Sequence, residues 1–184
     1  MKRAIFTLLA VLAAPATHAV EYATVLPQQS SIGFQFRQMG VPMKGSFRRF
    51  DARIRFDPAR PEAAQAALDI DLASIDTGST EADAEAAGTL WFDRGRYPVA
   101  RFVSRTVRPL GDNRFELRGT LALKGRRREL AIPVSYAPGG GVAHFKGSFA
   151  LRRLDFGIGE GMWADTDTVA NEVRVHFDIA AGGG

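Results

Sequence analysis

The segment Phe115–Tyr136, FELRGTLALKGRRRELAIPVSY, carries the clearest secondary-structure pattern in the chain. In both halves, apolar residues and one glycine alternate with mostly polar residues, the period expected when one face of a sheet is buried. Lys124 and Gly125 form a turn signal between the halves, so the segment predicts a β-hairpin. Pro133 cannot donate a ladder hydrogen bond, and its strand is therefore predicted to lie near an edge or to contain a local irregularity.

Short segments with the same alternation occur along the rest of the chain. They lie around residues 20–26, 32–37, 44–57, 68–73, 97–107, 144–152 and 172–179. The alternation changes phase at Phe50-Asp51, where a bulge or bend is predicted. Many short strands joined by turns favour an antiparallel sandwich or barrel, and closing the sheet removes its exposed edges. We therefore predict an all-β fold, an antiparallel eight-stranded barrel.

The segment Ser79–Gly88, STEADAEAAG, interrupts the β pattern and predicts one short helix. Ser79 or Thr80 can cap its start, acidic residues suit its first turn, and Gly88 ends it. We expect this helix to form a charged cover or lid.

The first nineteen residues have the three regions of a secretory signal peptide. Lys2 and Arg3 precede an uncharged run from Ala4 to Ala14, and Ala19 offers a small residue for cleavage. The run is shorter than the roughly 20 residues that a spanning helix needs, and no later stretch is comparable. We predict a signal peptide at residues 1–19, a single domain at residues 20–184, no transmembrane segment, and export to the periplasm.

Composition excludes several classes of function. The formal charge of +4 falls to about +2 without Lys2 and Arg3, which is too balanced to predict nucleic-acid binding. Cysteine is absent, which excludes disulfides, thiol catalysis and thiolate metal sites. His144 and His176 fall on the outward faces of predicted strands, so no metal site is predicted. Since no nucleophile elbow, zinc-protease motif or Walker loop occurs, no catalytic residues are assigned.

Three glycines on apolar strand faces bear on whether the barrel is hollow. Gly45, Gly119 and Gly147 lie in register with Phe47, Leu121 and Phe149, and a glycine among inward side chains is predicted to leave space unfilled. The alternative is that these glycines mark bends or bulges where a small barrel turns its corners. An eight-stranded barrel can be filled by its own side chains or can hold one small ligand, so the pattern leaves both open.

Several short motifs, taken in order, resemble the YceI-like family of periplasmic polyisoprenoid-binding proteins. These are Ser31-Ile32-Gly33-Phe34, Lys44-Gly45-Ser46-Phe47, Phe50-Asp51, Phe56-Asp57-Pro58, Ala73-Ser74-Ile75-Asp76-Thr77-Gly78, Tyr97-Pro98 with Phe102 and Ser104, Arg118-Gly119-Thr120-Leu121, and Arg153-Leu154-Asp155-Phe156-Gly157-Ile158-Gly159. The resemblance covers nearly all of the mature chain. It departs from the family pattern at Ala82, where an arginine is usual, and at Trp91-Phe92, where two phenylalanines are usual.

The resemblance implies a lipocalin-like barrel whose long pore holds an isoprenoid chain, such as that of a quinone. Together with the alternation, it gives a set of candidate ligand-binding residues on the inner face: Phe34, Phe36, Gly45, Phe47, Phe56, Phe102, Gly119, Leu121, Phe145, Gly147 and Phe149. Arg101, Arg105 and Asp155 are the initial candidates for contacts with a head group. No cofactor is expected beyond a bound isoprenoid lipid.

Three hypotheses of function follow. The first is a non-enzymatic carrier or storage protein for a polyisoprenoid lipid or quinone. The second is a filled barrel that acts as an interaction module for an envelope protein. The third is an enzyme that uses a pocket carboxylate such as Asp155 on a hydrophobic substrate. The sequence leaves a homo-dimer open.

Overall fold

Eleven antiparallel strands form one curled sheet in the computed structural model, which describes residues 20–184. The predicted signal peptide, residues 1–19, lies outside the described residues. The strands are β1 (Tyr22–Val25), β2 (Ser31–Gln38), β3 (Val41–Phe47), β4 (Phe50–Arg55), β5 (Gln65–Asp71), β6 (Ile75–Asp76), β7 (Val99–Gly111), β8 (Arg114–Leu123), β9 (Arg126–Gly139), β10 (Val142–Arg152) and β11 (Glu172–Gly183). Their order along the sheet is β4-β5-β7-β8-β9-β10-β11-β2-β3-β6.

The two ends of this sheet join, so the sheet closes into a barrel. Strands β3 and β4 are two parts of one bent strand, and β5 continues into β6 through a 3₁₀ turn at Leu72–Ser74. Backbone hydrogen bonds from Arg48 N to Ser74 O (3.0 Å) and from Asp71 N to Arg49 O (3.1 Å) connect the two bent strands across the break. With each bent strand counted once and β1 set apart, the barrel has the eight strands predicted. The predicted bend at Phe50-Asp51 lies two residues earlier, at Arg48-Arg49.

Aromatic rings close one end of the barrel. Strand β1 pairs with β11, and Tyr22 also forms a bridge with Phe56 at the end of β4. Ring centroids in this group lie 4.9 Å apart for Phe56 and Tyr136, 5.1 Å for Phe56 and Phe145, and 5.3 Å for Phe56 and Phe115. We call these five residues, Tyr22, Phe56, Phe115, Tyr136 and Phe145, the floor cluster. Edge-on and tilted contacts of this kind add to the stability gained from burial alone.

Strands β9 and β10 part along half of the described barrel wall. Strands β9 and β10 pair from Gly139 and Val142 down to Val134 and Gly147, and the described residues show no ladder pairing beyond that point. The next residue of β9 is Pro133, which has no N–H to offer to β10. This confirms the local irregularity predicted at the proline. Strand β9 remains paired with β8 from Ser135 to Arg126, which covers the whole length of β8.

A short helix covers part of the other end of the barrel, as predicted. Helix α1 spans Thr80–Ala86, and the hydroxyl oxygen of Ser79 accepts a hydrogen bond from Ala82 N (3.3 Å) as its N-cap. Asp83 Oδ1 accepts hydrogen bonds from the backbone N–H and the hydroxyl of Thr77 (2.8 and 2.7 Å), which tie the helix to the end of β6. Within residues 20–184, no helix combines the length and apolar character needed to cross a bilayer.

A buried arginine holds the long connection between β10 and β11. Arg153 is 1% exposed, and its guanidinium donates to five backbone carbonyls, which are those of Ile158, Gly159, Trp163, Val169 and Ala170 (2.6–3.1 Å). All five N–H donors of the side chain are therefore used. We call residues 154–170 the mouth loop and this set of bonds the Arg153 clasp. Burial lowers the pKa of Arg153, because removal from water disfavours the charged form.

The inward glycines are covered by phenylalanine rings from neighbouring strands. A methyl group at Gly45 would overlap the ring of Phe34, one at Gly119 that of Phe102, and one at Gly147 that of Phe177. The space left by each missing side chain is thus occupied by an aromatic ring from the adjacent strand. The prediction that these glycines leave space unfilled is therefore wrong, because the phenylalanine rings fill that space.

We call each glycine covered by a phenylalanine ring a ring seat, and this packing leads to a prediction about stability. Gly147→Ala places a methyl group against the Phe177 ring and the carbonyl oxygen of Pro133, and we expect it to reduce the free energy of unfolding by about 1 to 3 kcal/mol. Gly139→Ala is the matched control, because open space surrounds that strand glycine, and its effect should stay within about 0.5 kcal/mol. Urea denaturation followed by circular dichroism measures both. Equal costs at the two positions would contradict the ring-seat interpretation.

The Arg153 clasp makes a second prediction. Lysine has three donors on one nitrogen, so Arg153→Lys leaves at least two buried carbonyls without a donor and should cost about 2 to 4 kcal/mol. Arg152→Lys, at the exposed neighbouring residue, should change stability by less than about 0.5 kcal/mol. Urea denaturation measures the cost, and limited proteolysis shows whether cleavage in the mouth loop becomes faster. If Arg153→Lys proves as stable as Arg152→Lys, the Arg153 clasp does not stabilise the fold.

Candidate functional site

The barrel encloses two adjoining chambers along its axis. The larger, which we call the mouth chamber, has a volume of about 420 Å³, and the smaller, the floor chamber, has a volume of about 140 Å³. Six residues line both chambers and form the waist between them: Ile32, Ile70, Ala100, Leu121, Phe149 and Val175. Because the chambers share this ring of apolar side chains, they form a single elongated bore.

The floor chamber is almost wholly apolar. Gln65 contributes the one polar side chain among its lining residues, and the rest are aliphatic or aromatic. Phe56, Phe115 and Phe145 of the floor cluster line its end, with the two tyrosines packed behind them. This end of the bore suits hydrocarbon and offers little to a polar group.

The mouth chamber carries the polar groups of the bore. Its polar lining comes from the end of β2, from the segment around α1, from Arg153 and from the mouth loop: Gln38, Thr77, Glu81, Glu85, Trp91, Arg153 and Trp163. Phe34, Phe36 and Phe47 line the remaining wall, and their rings pack at centroid distances of 6.3 and 5.4 Å. The mouth chamber is also mainly apolar, but nearly all the polar groups of the bore lie at this end.

Most of these polar groups are already hydrogen-bonded within the protein. Glu85 Oε1 accepts a hydrogen bond from Trp163 Nε1 (2.8 Å), and Glu81 Oε2 accepts one from the hydroxyl of Ser79 (2.8 Å). Hydrogen bonds from its own backbone N–H and from Ser79 hold the pKa of Glu81 below its usual range, so this carboxylate is charged at neutral pH.

Two polar groups of the lining have no such partner. Within residues 20–184, the side chain of Gln38 forms no hydrogen bond with the protein, and it lines the chamber directly. Trp91 Nε1 is buried without a partner among the described residues. The Trp91 ring is fixed between Trp163, at a centroid distance of 5.5 Å, and the guanidinium of Arg153, which lies 5.9 Å from the ring centroid.

The structure places eight of the predicted ligand-binding residues on the bore. Phe34, Phe36 and Phe47 line the mouth chamber, Phe56, Phe102 and Phe145 line the floor chamber, and Leu121 and Phe149 lie at the waist. The other three, Gly45, Gly119 and Gly147, lie beneath phenylalanine rings rather than on the bore surface.

The first candidates for head-group contacts lie elsewhere. Arg101 donates to both carboxylate oxygens of Asp69 (2.6 and 2.9 Å) on the outer wall, and this pairing lowers the pKa of Asp69. Arg105 and Asp155 are exposed and line neither chamber. These three assignments are wrong, because alternation places Arg101 and Arg105 on the wet face and the side chain of Asp155 is exposed outside both chambers.

Other lining residues were missing from the prediction. Ile70, Ala100 and Val175 lie on predicted strands in phase with inward residues, so the alternation alone would have identified them. Trp91 and Arg153 lie in irregular segments, where the sequence gives no periodic signal for the direction of a side chain.

Comparisons with known proteins agree with this architecture. The UPF0312 protein of Azotobacter vinelandii is 30% identical over 138 residues, covering 71% of this chain and 72% of the relative. A UPF0312 protein of Vibrio cholerae is 30% identical over 160 residues, covering 82% and 85%.

Two solved structures share the fold. The crystal structure of BcnA from Burkholderia cenocepacia superposes with a TM-score of 0.84 at 37% identity, covering 85% of this chain and 99% of BcnA. A polyisoprenoid-binding domain from Saccharophagus degradans, implicated in plant cell wall breakdown, superposes with a TM-score of 0.69 at 16% identity, covering 90% and 99%. The YceI-like domain family matches residues 24–181, which include all of the closed barrel except the last two residues of β11, and the chain therefore belongs to the YceI-like family.

Proposed function

We propose that this protein binds a polyisoprenoid lipid in its bore and carries or stores it without chemical conversion. The single observation that carries this proposal is an elongated apolar bore whose few polar groups are gathered at the mouth. A lipid with a long hydrocarbon tail and a small polar head has the same polarity. The tail would occupy the floor chamber and the waist, and the head would remain in the mouth chamber.

The tail can supply the affinity for such a ligand. Burial of each CH₂ group is worth about 0.8 kcal/mol, so a chain of a few isoprene units nominally approaches the 18 to 21 kcal/mol at which measured affinities saturate. Ordering of a flexible chain offsets much of this gain. Selectivity between lipids with equal tails therefore has to come from the polar groups of the mouth chamber.

Family membership supports the same proposal. The Saccharophagus degradans domain is described as binding polyisoprenoids, and it shares the barrel fold with this chain. An isoprenoid quinone is our preferred ligand class, because its head is compact enough for a chamber of about 420 Å³ that also receives part of the tail.

The two other hypotheses have less support. A filled barrel that acts as an interaction module disagrees with the two chambers. Asp155, the carboxylate considered for catalysis, is exposed and lies outside the lining of both chambers.

Location and assembly belong to the proposal as well. The predicted signal peptide at residues 1–19 supports a periplasmic protein, and a homo-dimer is compatible with the sequence. Size-exclusion chromatography with light scattering measures the assembly state.

Extraction of the bound lipid tests the proposal directly. Protein purified from its native envelope should release a polyisoprenoid lipid into organic solvent, identifiable by mass spectrometry. Protein stripped of lipid should take up added isoprenoid quinone. Absence of lipid in the extract together with no uptake by the stripped protein would refute the proposed function.

The waist provides a sharper prediction. Ala100 is 6% exposed and lines both chambers, so Ala100→Phe should divide the bore and exclude the tail from the floor chamber. Loss of burial of only two CH₂ groups weakens binding by more than about tenfold, so long-chain ligands should lose at least that much affinity. Ligands short enough for the mouth chamber alone should bind as before.

The control for this variant lies on the outer face of the same strand. Val103 is 45% exposed, and Val103→Phe should leave the affinity for long and short chains unchanged. A chain-length series measured by isothermal titration calorimetry compares the two variants. If Ala100→Phe weakens short and long chains equally, the tail does not cross the waist.

A further inference from the structure

We infer that the mouth chamber accepts an uncharged head group, which Gln38 binds through hydrogen bonds, and that it rejects phosphorylated or carboxylated heads. This inference rests on the proposed function and names the ligand subclass within it. Two independent features carry it, the balance of charge in the lining and the distribution of hydrogen-bonding capacity.

Among the described lining residues, no positively charged side chain is free to bind an anionic head group. Among residues 20–184, Arg153 is the one positively charged side chain that lines either chamber, and the clasp uses all five of its N–H donors on backbone carbonyls. A phosphate would have to break these bonds to be coordinated by the guanidinium. Phosphate recognition normally depends on free Arg or Lys donors in a fork or cluster, and the clasp removes them.

The same lining presents two carboxylates. Glu81 and Glu85 both lie on α1 and face the mouth chamber, and the two outnumber the single guanidinium. Both side chains are exposed at the rim of the chamber, so their repulsion of an anion acts through water and weakens as salt is added. An anionic head would therefore meet repulsion from α1 without compensation from Arg153.

Gln38 supplies what an uncharged head requires. Its amide carries two N–H donors and a carbonyl acceptor, and within residues 20–184 no protein group satisfies them. A quinone carbonyl can accept from the amide N–H, and an alcohol can both donate and accept. Gln38 lies at the end of β2, where the backbone is fixed by pairing with Val41 and by a bridge to Val169.

Trp91 is the other unpartnered donor, but its position argues for a different role. Its Nε1 is not accessible from the chamber, so an acceptor could reach it only by displacing the surrounding atoms. The ring packs against Trp163 and Arg153 and thereby fixes the position of the mouth loop. The structure therefore assigns head-group binding to Gln38 rather than to Trp91.

The test uses four probes that carry the same four-isoprene tail. They are a quinone, an alcohol, a monophosphate and the plain hydrocarbon, each measured by equilibrium dialysis against protein stripped of lipid. For the wild-type protein we expect the quinone and the alcohol to bind about 3- to 10-fold more tightly than the hydrocarbon. We expect the phosphate to bind about tenfold or more weakly than the alcohol, with a smaller difference at 1 M salt.

A matched pair of variants on β2 tests the role of Gln38. Gln38→Met keeps the length of the side chain and removes its hydrogen bonds, so it should abolish the preference for quinone over hydrocarbon while the affinity for hydrocarbon stays within twofold. Gln35→Met, at an exposed position of the same strand, should leave the preference intact. If Gln38→Met weakens the hydrocarbon as much as the quinone, the residue only packs against the tail and its assignment fails.

A second pair tests the carboxylates. The double variant Glu81→Gln and Glu85→Gln retains the shapes of both side chains and should raise the affinity for the phosphate by about tenfold, with no change for the hydrocarbon. The control replaces two exposed carboxylates outside the lining, Glu62→Gln with Glu172→Gln, and should change neither affinity. Wild-type protein that binds the phosphate as tightly as the alcohol would overturn the charge selectivity.

The outcomes separate this inference from the proposed function. If the hydrocarbon and all three derivatives fail to bind, the proposed function itself is refuted and the inference with it. If the hydrocarbon binds but the head groups are not distinguished, lipid binding stands and the inference is refuted. Selective binding of the two uncharged heads that depends on Gln38 supports both.

Discussion

The hollow bore depends on one packing feature, in which phenylalanine rings pack against glycines of the adjacent strand. Phe34, Phe102 and Phe177 point inward, and in a barrel of eight strands three large inward side chains would fill the axis. Because each ring occupies the space beside a neighbouring glycine, the wall is apolar while the axis remains open. The glycines therefore create space indirectly, by letting phenylalanine lie against the wall.

The two ends of the bore differ because they are built from different kinds of structure. At the floor, paired strands bring five aromatic side chains together, and most of the backbone there is paired between strands. At the mouth, an irregular loop has carbonyls that no ladder can pair, and Arg153 satisfies five of them. Arg153 thus allows an irregular loop to lie next to an apolar bore. Because all of its donors are used in this way, none is available to a ligand.

The sequence predicted those parts of the fold and site that depend on periodicity. Alternation along each strand identified Phe34, Phe56 and Phe149 as inward residues, and capping residues identified helix α1. The role of Gly147 could not be predicted, because the ring that covers it comes from β11, whose register is set by tertiary pairing. Arg153 was missed for a related reason, since its five acceptors come together only when the mouth loop folds over it.

Pro133 has a mechanical consequence for the wall of the barrel. Widening a closed, fully paired cylinder requires rupture of backbone hydrogen bonds, each of which resists deformation. Above Pro133, β9 and β10 have no such bonds to rupture within the described residues, and Leu130, Phe149 and Leu151 lie along the inner side of this line. The barrel therefore widens most easily along the unpaired stretch between β9 and β10, which lies beside the waist.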